Sequence, residues 1–237
     1  MCANYTPPTS QRLHQFFGVA SPAAEIKTEI YPGHLAPIIR LADDGSGSRE
    51  CVSACFGMVP HWAELRLARH TYNARSETVA SKPSFRHAFA KRQFCVIPAE
   101  SFFEPNYESG HAVRWKIAAA LDEPLAIAGL WEWRPHGGPQ DQPLVSFTML
   151  TINADGHPLM QRFHRPEEEK RMVVLLQSAQ VDTWLHTSPE SVADYLQPWP
   201  AAWLRAEAAP RLTKPKSAQI SAVPRTEPRM LWESDAG

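Results

Sequence analysis

The first patterned stretch of the chain is Leu13, Phe16 and Phe17 behind Thr9-Ser10, apolar residues at helical spacing after hydroxyl caps, which predicts a short helix over residues 10–17. Tyr31-Pro32-Gly33 reads as a turn. Residues 36–41 read as a strand that stops at Asp43-Asp44-Gly45-Ser46-Gly47, and residues 51–59 return as its partner. Pro60-His61-Trp62 then carries a histidine and an aromatic into a surface loop. Residues 72–78 are polar and unpatterned, so they read as loop. Ser84 is expected to cap a helix bearing Phe85, Ala88, Phe89 and Arg92, and residues 94–99 to run as a strand toward Phe102-Phe103-Glu104, which Glu104 ends. Further strands are predicted at 113–118, 125–133, 145–152 and 171–176. Val181, Trp184 and Leu185 mark a helix, and Ser188-Pro189 opens another.

Many strands of irregular spacing with few, short helices predict a single α+β domain. Its expected core is a mixed, mostly antiparallel sheet curled toward a barrel, with helices at the margins. Twenty-two prolines, about twice the usual frequency, favour the same picture of loops and edge strands over long helices. No internal repeat or long linker divides the chain, so the domain is expected to cover residues 1–205. Residues 206–237, with little apolar pattern before Met230-Leu231-Trp232, are expected to form a peripheral, partly flexible extension.

A net charge of −1 gives no global attraction to nucleic acid or membrane, so any nucleic-acid site has to be a local basic groove. Neither a basic-then-apolar leader nor an apolar run approaching about 18 residues is present, and a cytoplasmic monomer is expected. The four cysteines (Cys2, Cys51, Cys55, Cys95) are too few for a disulfide framework. Cys51 and Cys55 lack a second Cys/His pair at zinc-like spacing, so they read as thiols in the fold and neither metal nor cofactor is expected.

The candidate chemistry starts at Met1-Cys2. A small second residue lets methionine aminopeptidase remove Met1, leaving Cys2 with a free α-amine beside its thiol. With ordinary pKa values of about 7.7–8.0 and about 8.5, both are competent nucleophiles. Together they can close a five-membered thiazolidine on an aldehyde. Glu104, behind Phe102 and Phe103, is the second candidate, because a desolvated carboxylate can serve as acid or base near neutrality. Taken singly, Asn73 reads as a loop amide, Arg75 as a solvated charge and His164 as an ordinary histidine.

Several blocks occur together in one order. They are Met1-Cys2, residues 57–62, Asn73-Ala74-Arg75-Ser76-Glu77-Thr78, residues 96–104, Ala128-Gly129-Leu130-Trp131-Glu132 and residues 171–175. Over roughly residues 2–200 the chain resembles the SOS response-associated peptidase (SRAP) family, whose members process abasic sites in single-stranded DNA. The resemblance implies that Cys2 is the nucleophile, Asn73 hydrogen-bonds at the reacting centre and Glu104 moves protons. It also implies that Arg75 grips the DNA backbone and that a base stacks on Trp62. The family writes His-Asp-Arg-Met-Pro where this chain has Glu169-Lys170-Arg171-Met172, so the acid–base role goes to His164 across an insertion. His157, between Gly156 and Pro158, is its competitor and reads as a solvent-exposed turn residue.

Two more departures are visible: the usual Cys-Gly-Arg start is Cys2-Ala3-Asn4, which removes a basic group beside the nucleophile, and Gly33-His34-Leu35-Ala36-Pro37 replaces a Tyr-Asn-x-x-Pro stretch. The expected partner is single-stranded DNA containing abasic sites. Two rival readings use the same residues: an N-terminal-cysteine peptidase or amidase, and a single-strand-binding module without chemistry.

Overall fold

The computed structural model describes residues 2–23 and 25–211 of the 237. In chain order these form β1 (Tyr5–Thr6), α1 (Ser10–Phe17), β2 (Leu35–Leu41), β3 (Arg49–Phe56), β4 (Asn73–Arg75), α2 (Arg86–Ala90), β5 (Phe94–Ala99), β6 (Ser101–Asn106), β7 (Val113–Ala119), β8 (Leu125–Arg134), β9 (Leu144–Asn153), β10 (Arg171–Val173), β11 (Leu175–Leu176), α3 (Val181–Leu185) and β12 (Leu204–Ala208). Short 3₁₀ turns fill several connections. Among the described residues, no helix is long and apolar enough to cross a membrane.

Five strands close into a barrel in the order β9-β3-β2-β5-β8, with β8 pairing back onto β9. Closure leaves these strands no open edges. The pairings of β3 and β4 with β9 are parallel, and the others are antiparallel. Every residue of β5 is buried, which is why Phe94–Ala99 reads as a continuous apolar run. Gly129 lets β8 approach its neighbours: a Cβ there would lie 2.3 Å from Ile97 Cδ1 and 2.5 Å from the Thr148 carbonyl oxygen. A second, four-stranded antiparallel sheet runs β1-β6-β7-β12. Helix α1 forms as its caps dictate, with the Thr9 hydroxyl accepting from the Arg12 N–H and Gly18 ending it at φ +67°.

The single α+β domain with its curled, mostly antiparallel sheet follows the sequence reading, and several boundaries differ from it. Strand β3 stops at Phe56 rather than Val59, because Gly57 turns the chain at φ +108° where a Cβ would sit 2.1 Å from the Ala68 carbonyl oxygen. The loop expected at 72–78 contains β4, whose three residues bury only Ala74 and so show no alternation. Ser84 lies in a turn before α2, and the cap position is Phe85, without a side-chain bond. The segment opened by Ser188-Pro189 is 3₁₀ rather than α. The expected strand toward Glu104 is two strands in different sheets, and Glu104 lies inside β6 instead of at an end. The run 171–176 breaks at Val174, which donates to Leu150 O of β9 and accepts from Ala128 N of β8, handing the chain from one barrel strand to the next. The boundary expected at 205/206 falls inside β12, which pairs with β7. Residues 212–237, including Met230-Leu231-Trp232, lie outside the described residues, as does Met1.

Candidate active site

The two sheets meet at the amino terminus. Strand β1 pairs with β6 through Tyr5 and Phe102, and the Phe103 N–H donates to Asn4 O at 2.9 Å, which tucks Cys2 beneath β6. Cys2 is only 1% exposed. From the barrel side, Asn73 at the head of β4 donates its Nδ2–H to Cys2 O at 2.8 Å. Burial pushes the Cys2 thiol far above its ordinary pKa and the nearby Glu104 carboxylate adds to the shift, so the sulfur is held as a thiol. Its Sγ lies 3.6 Å from Asn4 O.

Glu104 is buried, and its Oε2 lies 3.0 Å from His164 Nε2. His164, in the connection between β9 and β10, is itself buried and adopts φ +65°. His157 is elsewhere. The expectation that it is an exposed turn residue is corrected: it is 8% exposed, its Nδ1 accepts from the Leu159 and Met160 N–H groups, and its Nε2 lies 2.7 Å from Trp199 O. With Nδ1 used as acceptor, Nε2 carries the proton and donates to Trp199 O. That histidine ties a turn to the segment before β12.

Trp62 is 58% exposed and lines a groove of about 510 Å³ together with Arg66, Arg69 and His70. The groove's wall is pinned, since Thr71 Oγ1 donates to Met58 O and Arg134 donates to Ala63 O. Arg75, at the end of β4, ion-pairs with Glu169 at 2.7 Å. Cys2, Asn73, Glu104 and His164 are thus brought together, while Trp62 and Arg75 stand on outer surfaces. No group of three or more His, Cys, Asp or Glu suited to a metal occurs among the described residues.

Several residues at the site escape a sequence reading. Arg114 of β7 stacks over the Phe103 ring and donates to Asn4 Oδ1 at 2.6 Å and Glu29 Oε1 at 2.7 Å. A guanidinium therefore lies beside the amino-terminal segment despite Asn4, supplied from 110 positions away, a distance over which no local pattern operates. Tyr72 packs edge-on against Phe56, and its hydroxyl is pushed above the ordinary range by burial and then by Glu104 and Cys2. The buried Arg171 forks onto Glu77 at 2.8 and 2.9 Å and also meets Glu169 at 2.7 Å, which locks the β4 turn to β10.

The hydrogen bonds from Arg171 hold both the Glu77 and Glu169 carboxyls below their ordinary range. A depressed carboxyl stabilises the fold above the unfolded value of about 4.3, and that contribution disappears as pH falls through the lower folded value. Glu77 is half exposed and solvent screens its pair, so Glu77→Gln is expected to lower stability at neutral pH by about 1 kcal/mol and to flatten the acid limb of stability against pH. Urea unfolding across the acid range checks both.

The closed five-stranded barrel and the second sheet, with Cys2, Glu104 and His164 buried, define a single-domain α+β barrel protein. The chain belongs to the SOS response associated peptidase (SRAP) family, whose model matches residues 1–212. It is 31% identical over 183 residues to the abasic site processing protein YoqW of Bacillus subtilis (strain 168), covering 73% of this chain and 76% of that one. The abasic site processing protein HMCES of Gallus gallus is 27% identical over 135 residues, 47% of this chain and 40% of that one. Among solved structures, a Bordetella bronchiseptica protein superposes with a TM-score of 0.80 at 36% identity, covering 88% of this chain and 99% of its own.

Proposed function

We propose that this protein processes abasic sites in single-stranded DNA by forming a covalent thiazolidine crosslink through Cys2, which shields the lesion from strand scission. The observation that carries the reading is the meeting of Cys2, Asn73, Glu104 and His164 where the two sheets join, with Asn73 2.8 Å from Cys2 O and His164 3.0 Å from Glu104. Relatives named abasic site processing proteins point the same way.

The burial of the thiol sets the order of steps. Once Met1 is removed, the Cys2 amine adds to the aldehyde of the ring-opened sugar, and loss of water gives an imine. The sulfur then adds to the imine carbon, its proton leaves, and the nitrogen takes one up. One water is released overall. Glu104, beside the thiol, is the group to move these protons, His164 protonates the sugar oxygen as the ring opens, and Asn73 fixes the Cys2 backbone. A cysteine peptidase instead needs a ready thiolate, which burial and the Glu104 charge oppose.

DNA is held by phosphate contacts and stacking, which suits a lesion without sequence context. Trp62→Ala is expected to weaken binding to intact single strands by about 1–3 kcal/mol. Arg75→Ala is expected to reduce the slope of log affinity against log salt by about 0.7, one phosphate contact, once the competing Glu169 pair is allowed for. Fluorescence anisotropy over a salt series measures both, and normal binding by both variants would put the groove elsewhere. For the reaction itself, incubation with an oligonucleotide carrying one abasic site should give a band that survives denaturation. A peptidase needs no DNA, and a plain binding module gives no such band.

A further inference from the structure

Strand β6 carries Glu104, and period-two alternation puts the Asn106 side chain on the same face two residues on. Opposite it, the chain at 162–164 lies as a short antiparallel partner: Asn106 and Phe163 form an isolated β-bridge, and the His164 N–H donates to Pro105 O at 2.9 Å. Two rungs therefore face each other. In one, Glu104 meets the His164 ring; in the other, Asn106 Nδ2 donates to Arg162 O at 3.1 Å. The Asn106 amide has a fixed orientation, because its Oδ1 accepts from the Glu108 N–H at 3.0 Å. Beyond it, the Glu108 carboxylate receives the Arg162 guanidinium in a two-bond fork at 2.9 and 2.8 Å. Phe163 packs edge-on to Trp115, the cross-strand partner of Glu104.

The clamp has a specific task to perform. His164 sits at φ +65°, left-handed backbone that a non-glycine residue adopts only where its surroundings over-determine it. With the backbone so turned, the Arg162 carbonyl and the His164 ring both meet β6. Lys170 Nζ, donating to Arg165 O at 2.5 Å, closes the other side of the turn.

Resting on the function proposed above, we infer that Asn106 is a positioning residue for the reaction, acting through His164. By gripping the Arg162 carbonyl it sets where the imidazole meets Glu104, and the Glu108–Arg162 fork keeps that grip closed. Neither Asn106 nor Glu108 is part of the recognised motif blocks.

The test is single-turnover crosslinking at saturating abasic-site oligonucleotide with Asn106→Ala, Glu108→Gln, His164→Ala and the Asn106→Ala/His164→Ala double variant. Asn106→Ala is expected to slow crosslinking on the order of 10-fold to 100-fold with unchanged affinity for an intact strand, and Glu108→Gln to slow it less. In the His164→Ala background, Asn106→Ala should cost nothing further. An equal loss in both backgrounds, or a wild-type rate for Asn106→Ala, overturns the assignment. Glu108, at the exposed rim, keeps the test decisive if Asn106→Ala does not fold. Ring ¹⁵N resonances of His164 give a readout independent of the reaction: they should move in Asn106→Ala, and unmoved resonances also overturn the clamp. Wild-type protein that yields no adduct, with resonances that do move, would sink the proposed function alone.

Discussion

Cys2→Ser protein, freed of Met1, is expected to form no adduct that survives heating, while the wild type forms one that does. The amine is still present in the variant, so an imine should form and be captured by borohydride; what is missing is the sulfur that closes the stable ring. The expectation rests on position as much as chemistry. Cys2 is the one described cysteine within the charge field of Glu104 that also hydrogen-bonds through its backbone to Asn73. The other three thiols are on β3 and β5. A serine variant whose adduct is as heat-stable as wild type would remove ring closure from the account. Denaturing gels with and without reductant separate the two outcomes.

The next largest effects are expected at Glu104 and His164. Each variant, Glu104→Gln and His164→Ala, should lower the crosslinking rate by about 10²- to 10⁴-fold, the span of positioned acid–base groups. Because the two side chains touch at 3.0 Å and act as a unit, the double variant should lose little more than the worse single one. His157→Ala should barely change the rate, although losing the bond to Trp199 O should lower thermal stability. A strong rate loss at His157 with a normal rate at His164 would reverse the assignment. Quench-flow or gel time courses at saturating DNA give the rates directly.

What could be read from the sequence depended on how local the cause was. Helix α1 was legible because its cap, apolar face and terminating glycine lie within ten positions of one another, and β5 because continuous burial leaves a continuous apolar run. Strand β4 was not, since only Ala74 is buried and its pairing is provided by β9, more than seventy residues on. The division of 94–106 into two strands of different sheets leaves no signature beyond Glu100, whose ion pair with Arg12 lies on another element. At the site, Cys2 and Glu104 were candidates from their own chemistry, Asn73 took its role from a motif block, and His164 was assigned across an insertion; none came from periodicity. The residues that hold them, Asn106, Arg114 and Glu77, were given no role, Glu77 appearing only as part of a motif block, because each acts across a long separation in sequence: 56 positions for Asn106 with Arg162, 110 for Arg114 with Asn4, and 94 for Glu77 with Arg171. His157 was misjudged for a related reason. Gly156 and Pro158 mark a turn correctly, but not that the Trp199 segment covers it.

The central claim, a thiazolidine on Cys2, is tested most directly by mass spectrometry of the purified adduct. Protein incubated with an abasic-site oligonucleotide should have the mass of the Met1-less chain plus the oligonucleotide minus one water. After nuclease and protease digestion, the remnant should map to the amino-terminal peptide on Cys2. An adduct on a lysine, an adduct formed by protein that retains Met1, or unmodified Cys2 after complete reaction of the DNA would contradict it.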